Sequence, residues 1–94
     1  MSRVTPDSRL TVPDDVVYRD VLGEAMILHL GTGTYFGLDP VGSRVWQLIT
    51  ERGALSAVCT AMADEFDAPA DQIRADVLAL VETLVDKRLL DVAA

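Results

Sequence analysis

Histidine and cysteine are the residue types most typical of nucleophilic catalysis and zinc binding, and this sequence has one of each, His29 and Cys59. His29 falls in a segment with the alternation of a β-strand, and Cys59 falls on the apolar stripe of a helical segment. Structural zinc sites need four Cys or His ligands, which one residue of each type cannot supply. We therefore interpret His29 as a surface or half-buried residue and Cys59 as a small core residue, and predict no metal site.

Two further segments, a glycine-containing turn and a run of acids, resemble functional motifs but do not form a reactive site. Residues 31–33, Gly-Thr-Gly, lack the Lys-Ser/Thr that follows in a phosphate-binding loop, and they join two predicted strands. Asp64, Glu65 and Asp67 form a run of acids at the end of a predicted helix, where water solvates them. No nucleophile, base and oxyanion donor come together from these residues, so we predict a non-enzyme with no catalytic residues and no cofactor.

Size and charge exclude several classes of partner. The 94 residues are enough for one small core and leave little room for a deep substrate cavity. Fifteen acidic residues against eight basic ones give a net charge of −7, which disfavours nucleic acid and anionic membrane surfaces. The sequence has no apolar run of membrane-spanning length and no secretory signal, and its single cysteine suits a reducing compartment. We expect a cytoplasmic domain.

Period-two alternation predicts three consecutive strands after an N-terminal arm. Residues 1–15 are predicted to be a flexible arm that pairs briefly with the sheet, and residues 16–94 the domain itself. The strands are predicted near residues 17–21, 26–30 and 34–38, with turns at Gly23-Glu24 and at residues 31–33. Two tight turns between three successive strands predict an antiparallel meander.

Helical periodicity follows the third predicted strand. Asp39 and Pro40 are the residue types that cap and begin a helix, and Gly53 is the type that ends one. Further helices are predicted over residues 55–66 and 69–87, and the chain then finishes extended. The predicted fold class is α+β, a three-stranded antiparallel meander followed by three helices.

The third strand and the third helix are the elements that bear most on function. An outer strand of a meander has an unpaired edge, and residues 34–38 contain no charge or proline to protect it. The third helix has a core stripe and, about 100° around, a second apolar seam formed by Leu78, Val81 and Val85. Either that seam packs on the second helix or it faces a groove; likewise, either the arm or a partner covers the strand edge.

Residues 32–48, TGTYFGLDPVGSRVWQL, resemble the central signature of the PqqD-like family, in which a TG-x-Y-x-x-L strand runs into a helix with an early glycine. The segment from Ile73 to Leu90 is similar to the last helix of that family, so the resemblance covers about residues 16–92. It implies a winged-helix-like domain that recognises the leader segment of a ribosomally synthesised precursor peptide. Some members serve quinone cofactor synthesis, and others are partners of the leader protease in lasso-peptide biosynthesis.

The resemblance implies that the leader adds to the third strand, antiparallel, beside the third helix. The peptide-binding residues expected on this basis are Thr34, Tyr35, Phe36, Gly37, Leu38, Arg74, Val77, Leu78, Val81 and Val85. Arg74 is expected to pair with an acid of the leader. The domain would present the leader to a separate processing enzyme, a leader protease in the favoured lasso-type assignment or a radical enzyme in the quinone pathway.

Two alternatives from other classes remain at this point. A winged-helix DNA-binding regulator would need a basic recognition helix, but residues 69–86 hold one base, Arg74, against four acids. A small dimerisation module would close the exposed edge by pairing with a second copy, giving a homodimer.

Overall fold

Three strands and then three helices form the body of the chain, in the order that the sequence predicts for an α+β fold. The structure is a computed structural model that describes residues 4–93. The elements are β1 (Arg9–Thr11), β2 (Val16–Val21), β3 (Glu24–His29), β4 (Tyr35–Gly37), α1 (Pro40–Arg52), α2 (Leu55–Glu65), α3 (Ala70–Asp86) and β5 (Asp91–Ala93). No helix within this range is both long and apolar enough to cross a membrane.

Strands β2, β3 and β4 form the predicted antiparallel meander, in that order. Leu28 stands opposite Val17 on one side and Tyr35 on the other, so these three side chains share one face of the sheet. The first turn lies one residue earlier than predicted, because Leu22 and Gly23 occupy it with φ of 55° and 83°. Positive φ at both central residues suits the right-handed twist of a hairpin, although it is unusual for leucine.

Local sequence signals set the boundaries of α1. The Asp39 carboxylate accepts a hydrogen bond from the Gly42 N–H at 2.7 Å, and Pro40 occupies the first turn. Gly53 ends the helix at φ 74°, and its N–H donates to the Ile49 carbonyl. Both ends of α1 are therefore where the sequence predicts them.

The N-terminal segment differs from the predicted flexible arm. β1 pairs antiparallel with β5 in a separate two-stranded sheet rather than with the meander, and Leu10 stands opposite Val92. Leu10 and Val4 are buried in the hydrophobic core, so residues 4–15 include a packed strand. The arm was expected to be loose because its partner, β5, lies at the other end of the sequence, where local patterns give no sign of the pairing. Residues 1–3 of that arm lie outside the described range.

The core lies between the inner face of the meander and the three helices. Ile27 and Trp46 are almost completely buried there, and the Trp46 ring packs edge-on against Tyr18 with 5.3 Å between ring centroids. Trp46 is therefore a core residue. On the surface, Arg44 of α1 forms two hydrogen bonds of 2.7 and 2.8 Å with Glu65 of α2, and this pairing lowers the pKa of the Glu65 carboxyl.

Candidate functional site

An open apolar cleft of about 480 Å³ separates β4 from α3. α1, the last turn of α2 and the loop after it contribute further lining residues. The lining residues are Phe36, Gly37, Leu38, Asp39, Val41, Gly42, Val45, Met62, Phe66, Ala68, Ile73, Asp76, Val77 and Leu80. Most of these side chains are apolar, so the cleft is suited to apolar side chains of a partner rather than to a charged metabolite.

Beside this cleft, β4 has a free edge. It pairs with β3, and no other strand within residues 4–93 lies along its second side. Thr34 and Leu38 form main-chain hydrogen bonds with β3, at 2.8 and 2.9 Å. Because successive residues direct their main-chain groups to opposite edges, Phe36 also faces β3, whereas Tyr35 and Gly37 direct N–H and C=O groups to the free edge. Two residues therefore offer four main-chain groups to an additional strand.

The side chains of β4 are divided between the two faces of the sheet. Phe36 is half-buried and points into the cleft, where the Lys87 ammonium lies 5.4 Å from the centre of its ring. Tyr35 is 67% exposed and lies on the outer face, in the row it shares with Leu28. A Cβ added to Gly37 would lie on the outer face, 3.2 Å from the Met26 sulfur. The edge strand thus separates a cleft on one side from an open sheet face on the other.

The structure brings five of the ten predicted site residues to the edge or the cleft. Tyr35 and Gly37 supply the free main-chain groups, and Phe36, Leu38 and Val77 line the cleft together with Gly37. Thr34 precedes β4, and its carbonyl bonds to the His29 N–H within the sheet.

The other four predicted residues lie on the opposite flank of α3. Val81 is completely buried, Val85 is buried, and Leu78 packs against the core. Arg74 is exposed, lies 3.8 Å from Asp71, and borders a depression next to α2. The second apolar seam therefore faces away from the cleft, which corrects the assignment of the groove to that side. The reason is that α2 packs against one flank of α3, and periodicity alone does not say which flank.

The flank of α3 that does line the cleft carries Ile73, Asp76, Val77 and Leu80. Residues at this spacing of three, one and three lie on one face of a helix, and the sequence pattern placed Ile73, Val77 and Leu80 in the core stripe. Val41, Met62 and Phe66 were missed as well, because they come from two other helices. The exposure of Val41, 50%, is the one signal of an unfilled site among them, and it exists only in the folded structure.

His29 and Cys59 have the surroundings of structural residues rather than of catalytic ones. His29 is buried, its Nδ1 accepts a hydrogen bond from the Thr32 N–H at 3.3 Å, and its Nε2 lies 3.6 Å from the Asp15 carboxylate. Burial raises the pKa of the Cys59 thiol, which disfavours the reactive thiolate. No cluster of three or more potential metal ligands occurs in the described part of the chain.

Comparison with known sequences matches this chain to a family and to a similar protein. The family described as coenzyme PQQ synthesis protein D (PqqD) matches residues 24–90. A protein of Xanthomonas axonopodis pv. citri (strain 306), described as PqqA binding protein, is 34% identical over 90 residues, which are 96% of this chain and 98% of that protein.

Two solved structures share the fold. TbiB1 in complex with the TbiA(beta) leader peptide superposes with a TM-score of 0.84 at 36% identity, over 89% of this chain and 98% of that one. Lasso peptide synthetase B1 complexed with the leader peptide superposes with a TM-score of 0.80 over 88% of this chain and 98% of that one. The second is 14% identical and shows similarity of fold alone.

Proposed function

This chain belongs to the PqqD family, and we propose from that premise that it binds the leader segment of a ribosomally synthesised precursor peptide. The observation that carries the proposal is the free edge of β4 beside an apolar cleft. The relative that binds PqqA and the leader-bound TbiB1 support it, because both are similar to this chain over nearly its whole length.

In this proposal the leader adds to β4 as a fourth, antiparallel strand. Tyr35 and Gly37 form main-chain hydrogen bonds with it, and these bonds are independent of the peptide's sequence. Alternate side chains of the peptide enter the cleft, where Phe36, Val77 and Leu80 contact them, and their apolar character gives selectivity. Once the cost of ordering the peptide is deducted, we expect about −8 to −10 kcal/mol, or micromolar to tens-of-nanomolar binding.

We further propose that the domain hands its peptide to a separate processing enzyme and performs no chemistry itself. A lasso-type leader protease is the favoured recipient, as in the assignment made from the sequence, and the leader-bound TbiB1, 36% identical over 89% of this chain, supports binding of a leader peptide. A PqqA-type peptide of quinone cofactor synthesis, with a radical enzyme as recipient, is the second candidate, and the PqqA binding relative favours it. The predicted cytoplasmic location suits a partner of newly synthesised peptides.

Tyr35→Pro tests strand addition without disturbing the rest of the sheet. Proline removes an N–H that faces solvent at the free edge, a position where sheets accept it, so the fold should persist. Tyr35→Thr is the matched control, because it removes the same side chain and retains the N–H. Fluorescence anisotropy with labelled leader peptides of both types, from precursors encoded near this gene, should show binding by wild type and Tyr35→Thr and loss of at least tenfold in Tyr35→Pro.

Circular dichroism of the three proteins establishes that they are equally folded. Equal affinity of Tyr35→Pro and Tyr35→Thr would exclude addition of the peptide to β4. A chain that binds neither type of leader would exclude the function itself. Light scattering of the free protein tests the remaining alternative, since a stable dimer that pairs its own β4 edges would leave no edge for a peptide.

A further inference from the structure

The cleft has unlike charges near its two ends. Two carboxylates line it, that of Asp39 where β4 runs into α1 and that of Asp76 on α3, and Lys87 lies over the ring of Phe36, which also lines the cleft. Lys87 follows Asp76 by eleven residues. That is a separation of about 16 Å along the axis of α3, the length of a strand of about five residues.

Asp76 is the carboxylate best placed to meet a peptide. Its side chain is exposed on a wall that is otherwise apolar, next to Ile73 and Val77, and no ion pair or hydrogen bond engages it in the described residues. By contrast, one carboxylate oxygen of Asp39 already accepts the Gly42 N–H at the start of α1. Asp71, earlier on the same helix, lies outside the cleft beside Arg74.

Resting on the proposed function, we infer that Asp76 is a specificity-determining residue that selects leaders with a basic side chain ahead of their apolar anchor. A strand antiparallel to β4 has its N-terminal part next to Leu38 and its later part next to Phe36. Residues directly opposite each other share a face, so the peptide residues opposite Phe36 and Leu38 both point into the cleft. The residue opposite Leu38 comes two positions earlier in the peptide, toward Asp39 and farther from Lys87, and Asp76 also lies away from Lys87 along α3.

The partner is therefore a peptide with Lys or Arg on the N-terminal side of the apolar side chain that contacts Phe36. Its charge is attracted by Asp76, whereas Lys87 repels a second base farther along the strand. Reversing the peptide would place its base beside Lys87, so the two charged ends select the direction of the strand as well as its composition. The overall charge of −7 also favours approach of a basic segment.

Asp76→Asn tests the inference, with Asp71→Asn as its control. Both variants remove one carboxylate from α3, and only the first removes it from the cleft. The probe is the leader peptide that wild type binds, labelled as before, and a second copy in which the basic residue nearest the N-terminal side of its apolar anchor is glutamine. At low salt we expect Asp76→Asn to weaken binding of the first peptide by about two- to fivefold, an exposed ion pair's contribution, and high salt to abolish the difference.

The two peptides and two proteins form a double-mutant cycle. The inference requires that the glutamine peptide bind wild type and Asp76→Asn equally, and that Asp71→Asn behave as wild type with both peptides. Equal weakening by Asp76→Asn and Asp71→Asn, or no weakening by either, would overturn the inference while wild-type binding still upheld the proposed function. Failure of wild type to bind any leader would overturn both.

Discussion

Ser43 joins the sheet to the first helix through its buried hydroxyl. Its hydroxyl accepts a hydrogen bond from the Ala25 N–H at 2.6 Å and donates one to the Leu38 carbonyl at 3.2 Å. Both partners are buried, one at the start of β3 and the other just after β4. The hydroxyl therefore holds the end of the edge strand in place, a function that its position in a helical stripe does not indicate.

Ser43→Ala should lower the free energy of unfolding by about 1–3 kcal/mol, because the Ala25 N–H would stay buried without an acceptor. Urea denaturation measures the loss. Thr50→Ala on the same helix removes an exposed hydroxyl that donates to the Gln47 carbonyl, and it should change stability by less than about 0.5 kcal/mol. Equal losses in the two variants would show that the buried bonds of Ser43 contribute no special stability.

Residue types with one strong conformational preference allowed reliable prediction. Asp39, Pro40 and Gly53 set the two ends of α1, since each satisfies a particular main-chain requirement of a helix terminus. Leu22 shows the opposite case. Nothing in a leucine favours φ of 55°, so the turn was assigned to the residues after it.

At the scale of elements, the pairing of β1 with β5 brings the two ends of the described chain together. Leu10 is 3% exposed between this small sheet and the helices, and its N–H donates to the Gly53 carbonyl at the end of α1. The segment thus contributes to the core at a place remote from the cleft.

Leu10→Ala should destabilise the fold by about 2–5 kcal/mol, the usual cost of truncating a buried leucine. Thr11→Ala, at the exposed neighbouring position of β1, should cost little. Thermal unfolding followed by circular dichroism compares them, and Leu10→Val gives a smaller loss should the alanine variant fail to fold. A flexible arm, as the sequence suggested, would make Leu10→Ala as harmless as Thr11→Ala.

Packing between elements also decides which flank of α3 faces the cleft. Its sequence has apolar residues on two flanks of the core stripe, and either flank could have faced a groove. The flank of Leu78 and Val85 packs against the core, and the flank of Asp76 and Leu80 lines the cleft beside β4. Val81, predicted as a groove residue, is completely buried, so a charge placed there would test the core and not the site.

For the molecule as a whole, charge separates peptide recognition from the alternative of DNA binding. α3 would be the recognition helix of a winged-helix regulator, yet Arg74 is its one base against four acids. Phosphates would meet repulsion over most of the surface, and no counterions would be released to drive binding.

A mobility-shift assay at low salt should therefore show no complex with a DNA duplex at protein concentrations that saturate the leader peptide. A synthetic leader serves as the positive control in the same buffer. A retarded band that survives competition by unrelated DNA would contradict the expectation and restore the regulator hypothesis.

The sequence by itself determined the order of the elements, the ends of α1 and the acidic character of the surface, and it left open whether the edge of the third meander strand is covered. These follow from preferences that act between neighbouring residues or from simple composition. Only the tertiary structure decided that β1 joins β5, that Tyr35 and Gly37 carry the free main-chain groups, and that the cleft lies on the flank of α3 that carries Asp76. The physical reason is that each depends on contacts between segments far apart in the chain, whose packing selects one of several surfaces that the local pattern permits equally.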